Sequence, residues 1–204
     1  LGDVYKRQIM IMTAKHNKTK DIGRILVGFS VLFTGMMMMG ESVEPLKDSP
    51  SFSHILTAFN NPLVGVLAGA IITAVIQSSA ASIGILQSLS ITGHITYGMA
   101  IPIIMGQNIG TCVTALISSI GVNRSARRVA VIHIAFNCIG TIILLPILYL
   151  VNAFVDFVFM DWTISYAGIA LVHTIFNVVV TFLLLPFSKL LEKLASVSYT
   201  HLRA

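Results

Sequence analysis

The sequence predicts an all-α, polytopic membrane protein with a re-entrant hairpin and a discontinuous helix. Of its 204 residues, 55% are hydrophobic and only 10% are charged, whereas about a quarter of the residues of a soluble domain are charged. The mean hydropathy is +0.88. Several apolar stretches approach or exceed the length of about 20 residues that crosses a bilayer. Two of these stretches are interrupted by polar residues, which predicts the hairpin and the broken helix.

The net charge of +5 does not indicate nucleic-acid binding, because the basic residues lie at the ends of apolar stretches. Cytoplasmic loops of membrane proteins concentrate Lys and Arg in such positions. We therefore expect the lipid bilayer as a partner and no nucleic acid. Both cysteines, Cys112 and Cys138, lie in apolar stretches, so neither a disulfide framework nor a metal-ligand spacing follows.

Both ends of the chain have the character of non-native sequence. Residues 1–8 and 197–204 are similar to translated adapter sequence that borders gene fragments, and we exclude them from the fold prediction. The transmembrane unit is expected over residues 9–194. Within it, residues 9–14 are too short for a span, so we interpret them as the remnant of one that begins earlier.

The first complete span is predicted over residues 25–40, and an acidic, proline-containing loop follows it. Residues 62–91 are then apolar but carry a polar break at 77–82. Each arm beside the break is too short to cross a membrane, so we predict a hairpin that enters, turns and leaves on the same side. Non-helical backbone at membrane depth needs protein or a water-filled cavity around its polar groups. The turn is therefore a candidate binding site.

A second polar break divides the stretch 97–120 at residues 106–111, which predicts a discontinuous helix. Spans predicted over 129–151 and 164–187 complete the unit. If the hairpin returns to its side of entry, the basic clusters near Lys18, Arg124 and Lys189 all lie in the cytoplasm. A single crossing by the hairpin segment would place the Arg124 cluster outside, so the charge pattern and the arm lengths favour the same topology.

The last two spans contain a repeat with an offset of 40 residues. Each copy has a His, an Asn four residues later and a Thr four residues after that: His133, Asn137 and Thr141, then His173, Asn177 and Thr181. Residues four apart share one helix face, and polar faces in a membrane point into the bundle. Internal repeats are typical of secondary transporters. The histidines either relay protons or, with the asparagines, hydrogen-bond neighbouring helices.

The candidate ligand-binding residues of the two breaks are all neutral. They are Gln77, Ser78, Ser79, Ser82, Gln107, Asn108 and Thr111. The N-termini of half-helices can hold an anion, while carbonyl and hydroxyl oxygens can hold a hard cation such as Na+. An anion and its coupling cation can therefore share one neutral pocket. The alternative is that these small polar residues only let helices approach closely.

Three motifs, in order, resemble the bacterial sodium/phosphate cotransporter family that is related to animal type II carriers. They are residues 60–63 (Asn-Asn-Pro-Leu), 77–79 (Gln-Ser-Ser) and 106–111 (Gly-Gln-Asn-Ile-Gly-Thr), followed by the two His-x-x-Phe-Asn spans. The resemblance covers roughly residues 20–194. It implies two inverted halves, each with a Gln-Ser-Ser hairpin, that together enclose Na+ and phosphate. This chain resembles the second half only.

The resemblance implies sodium-dependent transport of inorganic phosphate by alternating access in a bacterial cytoplasmic membrane, with one half of the binding site on this chain. It also implies an N-terminal repeat half and a PhoU-like domain as partners, and Na+ as the coupling ion with no other cofactor. By this resemblance Gln77, Ser78 and Ser79 contact phosphate or Na+, Asn108 and Thr111 line the same cavity, and Ser78, Ser79 and Thr111 are the expected Na+ ligands. The supporting residues are expected to be His133, Asn137, His173 and Asn177.

The chain departs from the family pattern at three positions. The family hairpin usually reads Gln-Ser-Ser-Ser-Ala-Thr, so Ala80 and Ser82 differ from it, and Cys112 stands where a Thr is common. Ala80 and Cys112 each lack the hydroxyl group of the usual family residue. These changes bear on the number of Na+ ions and on the selectivity of the site.

Two other classes of function remain as alternatives. A channel-like or assembly subunit would use the same fold without coupled transport. An intramembrane hydrolase would use Ser79 as nucleophile with His133 or His173 as base, but no acid that could orient the base lies in the predicted spans. We therefore predict that the protein is not an enzyme.

Overall fold

The computed structural model describes residues 17–120 and 124–197, which form eight α-helices. They are α1 (Asn17–Val43), α2 (Pro50–Leu56), α3 (Pro62–Ile76), α4 (Ser79–Ser90), α5 (Tyr97–Ser118), α6 (Arg124–Val155), α7 (Tyr166–Leu184) and α8 (Ser188–Val197). Short 3-10 turns follow α1, α2, α6 and α7. The ends predicted to be non-native and the remnant at 9–14 lie outside the described residues, apart from Val197 at the end of α8.

Four helical segments in the described ranges are long and apolar enough to cross a membrane: Lys20–Leu46, Tyr97–Ser118, Arg127–Val155 and Tyr166–Ser196. A bent pair, Pro50–Asn60 with Pro62–Ile76, meets the same test when it is counted as one span, with an angle of 107° between its halves. The predicted all-α, polytopic class is therefore confirmed. The helices extend beyond the predicted apolar spans because helical backbone continues into the polar residues at their ends.

Helices α3 and α4 form the predicted helical hairpin, and its break is only two residues long. Helix α3 ends at Ile76. The next residue, Gln77, caps the helix with a left-handed φ of 58°, and its N–H donates to the Thr73 carbonyl at 2.8 Å. Ser78 starts α4, since its hydroxyl accepts from the Ala81 N–H at 3.3 Å. A left-handed residue other than glycine costs on the order of 1–3 kcal/mol, and it persists only where its surroundings hold it.

Both ends of the hairpin lie at the same end of the bundle. Phe52, which precedes the hairpin, packs edge-on against the ring of His94, which follows it, with 6.4 Å between the ring centres. Thr96 pairs with Thr163 in an isolated β-bridge, so the loop after α6 also reaches this end. The opposite end carries basic residues, including Arg127, whose Nε donates to a backbone carbonyl at the end of α5. This arrangement agrees with the topology that the charge pattern predicts.

Helix α5 lies at the centre of the fold and runs parallel to α3 in close contact. A Cβ on Gly65 would lie 3.0 Å from the Pro102 Cβ, and one on Gly110 would lie 2.7 Å from the Thr73 Cβ. Contacts therefore advance in the same direction along both helices. Small residues at every fourth position allow such close approach between membrane helices. The hairpin is consequently fixed on the central helix through its first arm.

The predicted break in the helix over residues 97–120 is wrong, because α5 is continuous from Tyr97 to Ser118. Gly106 serves close packing rather than a break, since a Cβ there would overlap the carbonyl oxygen of Val66 on α3. The amide of Asn108 is satisfied within the helix, where Nδ2 donates to the Ile104 carbonyl at 2.8 Å. Neither the glycine nor the amide needs unwound backbone here.

Candidate functional site

Thr73, Ser82 and Gln107 join three helices in one buried hydrogen-bonded cluster. The Nε2 atom of Gln107 on α5 donates to both the carbonyl oxygen and the hydroxyl of Ser82 on α4, each at 2.9 Å. The Thr73 hydroxyl on α3 donates to the same Ser82 hydroxyl at 2.7 Å. The three residues are only 0%, 1% and 3% exposed, respectively. This polar cluster therefore holds the hairpin closed and attaches it to α5.

The side-chain oxygen of Gln107 is buried and has no hydrogen-bond partner among the described residues. Leaving such an oxygen unpaired costs on the order of 1–3 kcal/mol. Gln107 and Ser82 line a small cavity of about 60 Å³, whose other walls are apolar. A water needs on the order of 10–15 Å³ of space and at least two polar partners. This cavity, with Gln107 and Ser82 in its wall, therefore has room for a water or a small cation.

The hairpin tip presents polar groups that the described part of the protein does not use. Gln77 is exposed, while Ser78 and Ser79 are partly buried. Ser78 caps α4, but the Gln77 amide and the Ser79 hydroxyl form no hydrogen bond with any described residue. The first turn of α4 also has N–H groups without helical partners and a partial positive charge. The tip therefore offers neutral donors and a helix N-terminus to an anion.

The two asparagines of the 40-residue repeat contact α5 from two different helices. Asn137 on α6 donates to the Cys112 sulfur at 3.5 Å, and Asn177 on α7 donates to the Asn108 side-chain oxygen at 3.2 Å. Asn108 and Cys112 lie one helical turn apart on α5. The structure therefore favours the interpretation in which the repeated asparagines connect neighbouring helices.

The repeated histidines take part in this arrangement only through their backbone. The carbonyls of His133 and His173 accept from Asn137 and Asn177 at 3.0 and 2.8 Å, respectively. Within residues 17–120 and 124–197, no hydrogen bond connects the two imidazoles with each other or with Ser79. The contacts therefore support neither the proton relay nor the Ser–His pair of the hydrolase alternative.

The structure brings together only some of the predicted ligand residues. Ser82 and Gln107 are in direct contact, whereas Thr111 donates to the Asn108 carbonyl of its own helix at 2.6 Å. No hydrogen bond joins Ser78 or Ser79 to these α5 residues in the described ranges. The Na+ site assigned to Ser78, Ser79 and Thr111 stays a prediction.

Sequence reasoning missed Thr73, which supplies the third side chain of the buried cluster. The available signal was its spacing, because Gly65, Gly69 and Thr73 repeat every four residues along α3. This small-residue pattern marks a helix face packed against another helix. A hydroxyl on that face has to find its partner inside the bundle.

The oxygen-rich character of the site indicates the kind of cation that it suits. No group of three or more His, Cys, Asp or Glu side chains that could hold a metal occurs in the described part of the chain. Hydroxyl, amide and carbonyl oxygens are ligands for hard cations, whereas imidazole and thiolate suit transition metals. The site thus fits an alkali or alkaline-earth ion better than zinc or copper.

A polar-tipped helical hairpin packed on a central helix, within a bundle of apolar helices long enough to cross a membrane, is typical of the membrane transporter class. Residues 34–174 match the family described as Na+/Pi-cotransporter. Since this match covers well over half of the chain, the protein belongs to the Na+/Pi-cotransporter family. The family membership agrees with the resemblance found in the motifs.

Curated relatives share this part of the chain. The uncharacterized protein YqeW of Bacillus subtilis is 31% identical over 138 residues, which are 67% of this chain and 45% of YqeW. Sodium-dependent phosphate transport protein 2B of Homo sapiens is 34% identical over 137 residues, 62% of this chain and 20% of that protein. YjbB of Escherichia coli, provisionally named an inorganic phosphate export protein, is 24% identical over 143 residues, 70% of this chain and 26% of YjbB. The chain thus spans less than half the length of these relatives, and no solved structure matches it significantly.

Proposed function

We propose that this chain supplies one half of the binding site of a carrier that moves inorganic phosphate together with Na+ across a bacterial cytoplasmic membrane. The observation that carries the proposal is the buried cluster of Thr73, Ser82 and Gln107, with its unpaired amide oxygen, one turn from a hairpin tip with free donors. Membership in the Na+/Pi-cotransporter family and the names of two relatives support phosphate as the substrate.

Phosphate binds at the hairpin tip in this proposal. The Gln77 amide and the Ser79 hydroxyl donate to phosphate oxygens, and the first-turn N–H groups of α4 add further donors. A helix N-terminus stabilises an anion through these N–H groups and through the helix dipole. Neutral donors suffice because the coupling cation brings the balancing charge.

Na+ binds beside the buried cluster, where Gln107 Oε1 is the first ligand and the hydroxyls of Ser82 and Thr73 are within the same hydrogen-bonded group. The oxygens of Ser78, Ser79 and Thr111 are further candidates for this or a second ion. Ser79 and Ser82 lie about one turn apart on α4, a rise of roughly 5 Å. Opposite charges bound at two such neighbouring positions attract each other, so each ligand is expected to raise the affinity for the other.

The transport step follows from how the hairpin is attached. Gly65, Gly106 and Gly110 allow α3 to pack closely against α5, so in this proposal the hairpin and the central helix move together. Rocking of this unit against a second, inverted half would expose the ligands to one side of the membrane at a time. The proposed partners are the other repeat half and a PhoU-like domain, as the resemblance of the motifs implies. Net flux in either direction follows the combined gradients.

Uptake of radiolabelled phosphate by vesicles that contain the full-length parent protein tests the proposal. Accumulation that depends on an imposed Na+ gradient is the expected result. Phosphate flux that equilibrates without regard to the gradient would identify a channel instead. Absence of any flux above that of protein-free vesicles would favour an assembly subunit.

A further inference from the structure

A basic groove of about 550 Å³ lies at the end of the bundle opposite His94, between the start of α6 and α8. Arg128 lines it from α6, and Lys189 and Lys193 line it from α8, together with Glu192 and several aliphatic residues. Three cationic groups and one carboxylate give the groove a net charge of +2. It lies away from the hairpin and none of its residues takes part in the site described above.

The cations of this groove form no ion pair in the described part of the chain. In the described ranges the only ion pair joins Arg24 to Asp21, so Glu192 forms none with its neighbours. The side chains of Arg128, Lys189 and Lys193 also form no hydrogen bond with a described residue. Their N–H groups are consequently available to an anionic ligand.

Helix α8 has the side-chain pattern of a helix that lies at a membrane surface. Leu191 and Ala195 are buried against the bundle, at 7% and 0% exposure. On the adjacent face, Leu190 and Leu194 are 56% and 48% exposed, and the two lysines that line the groove form the next stripe. Amphipathic helices with exposed leucines and a lysine face lie in the interface, with apolar groups toward the acyl chains and ammonium groups at the headgroups.

We propose that this groove binds the phosphate headgroup of an anionic phospholipid. Arg128 suits a phosphate through paired N–H donors, and the two lysines add point charges. The groove also has Val129, which is 66% exposed, at its edge. Apolar surface beside a cationic groove accommodates acyl chains, which free phosphate lacks. The charge pattern places this end in the cytoplasm, where basic pockets between membrane helices recognise anionic headgroups.

Native mass spectrometry of the purified chain in detergent tests this site with phosphatidylglycerol and phosphatidylcholine as probes. Wild-type protein is expected to retain one phosphatidylglycerol at least about tenfold more tightly than phosphatidylcholine. The double variant Lys189→Gln/Lys193→Gln is expected to lose this preference. The matched control, Lys18→Gln/Lys20→Gln, makes the same charge change at the same predicted side and should keep it.

Three results would overturn the proposal. Equal retention of the two lipids would show that no headgroup charge is recognised, and equal losses in the test and control variants would show a diffuse charge effect. Displacement of the lipid by low millimolar inorganic phosphate would identify a site for free phosphate instead. Arg128→Gln, a single change on α6, serves as a second test if the double variant does not fold. None of these measurements depends on transport, so they stand apart from the test of the proposed function.

Discussion

Asn177 donates its side-chain amide to the side-chain oxygen of Asn108 at 3.2 Å, across 69 positions of sequence. Its counterpart in the repeat, Asn137, donates to Cys112 one turn further along the same helix. The two copies of the repeat therefore contact the central helix at successive turns. Both spans are thus hydrogen-bonded to the helix that carries Gln107, and we expect changes at these asparagines to affect the ligand site without direct contact with a ligand.

Replacement of Asn177 by Ala should weaken both stability and transport. The change removes the contact with Asn108, and hydrogen bonds between membrane helices contribute about 0.6 kcal/mol on average. We expect a lower melting temperature in detergent and a several-fold loss of phosphate flux in the full-length parent. Thr174→Ala is the control, because the exposed Thr174 hydroxyl bonds only to Ala170 of its own helix. Equal behaviour of the two variants would argue against the contact with α5.

Replacement of Gly106 by Ala should destabilise the fold, because the added Cβ would overlap the Val66 carbonyl oxygen in the interface of α3 and α5. Overpacking of a close interface costs typically 1–3 kcal/mol. Gly28→Ala is the matched control, since a Cβ at Gly28 meets no atom within 4 Å. We expect a clear loss of thermal stability for the first variant and no loss for the second. A stable Gly106→Ala protein would show that the two helices separate at little cost.

Variants of the candidate site should affect Na+ and phosphate separately. Gln107→Ala should raise the Na+ concentration for half-maximal transport about tenfold, as expected when a buried partner is lost. Ser79→Ala or Gln77→Ala should raise the KM for phosphate by about tenfold, because each removes one donor to the anion. Ser88→Ala is the control, because the Ser88 hydroxyl bonds only to the Gly84 carbonyl of α4. Kinetics of phosphate uptake by the full-length parent provide both parameters.

A different outcome would relocate the site. If the Gln107 and Ser79 variants transported as wild type does while Ser88→Ala abolished transport, the ligands would have to lie nearer the end of α4 that contains Ser88. Thermal melting of each variant distinguishes such a result from misfolding.

The topology can be tested with single cysteines and a membrane-impermeant thiol reagent. Cysteines near Glu44 and His94 should both react from outside the cell, while a cysteine near Arg128 should react only after the membrane is permeabilised. The expectation rests on the arm lengths, the charge pattern and the contact of Phe52 with His94. The unmodified chain, with its own Cys112 and Cys138, measures the background labelling. Labelling of Glu44 and His94 positions from opposite sides would exclude the hairpin as a re-entrant element.

The purified chain alone should bind no phosphate in a Na+-dependent manner. A carrier built on inverted halves encloses its ligands between them, and residues 17–120 and 124–197 contain one such hairpin. Two copies cannot replace an inverted half, because their basic loops hold both in the same orientation. Calorimetry should therefore show Na+-dependent binding only after co-expression with an upstream half. Saturable binding by the chain alone would place the complete site within it.

The sequence by itself determined the class of protein and the position of the hairpin. Hydropathy and charge identify membrane-spanning segments because each residue contributes its transfer energy independently of its neighbours in space. The break at 77–82 was visible for the same reason, although the structure shortens it to Gln77 and Ser78. The repeated His and Asn residues were likewise visible as a fixed spacing.

Only the tertiary structure decided that α5 is continuous and which polar side chains form hydrogen bonds with each other. A glycine beside an amide allows either a broken helix or a close helix contact, and the approach of Val66 to Gly106 selects the second. Thr73 is 9 residues from its partner Ser82, and Gln107 is 25 residues from the same Ser82. Hydrogen bonds at such separations depend on the packing of whole helices, which local periodicity does not encode, so the buried cluster and its unpaired oxygen emerge only once the helices are assembled.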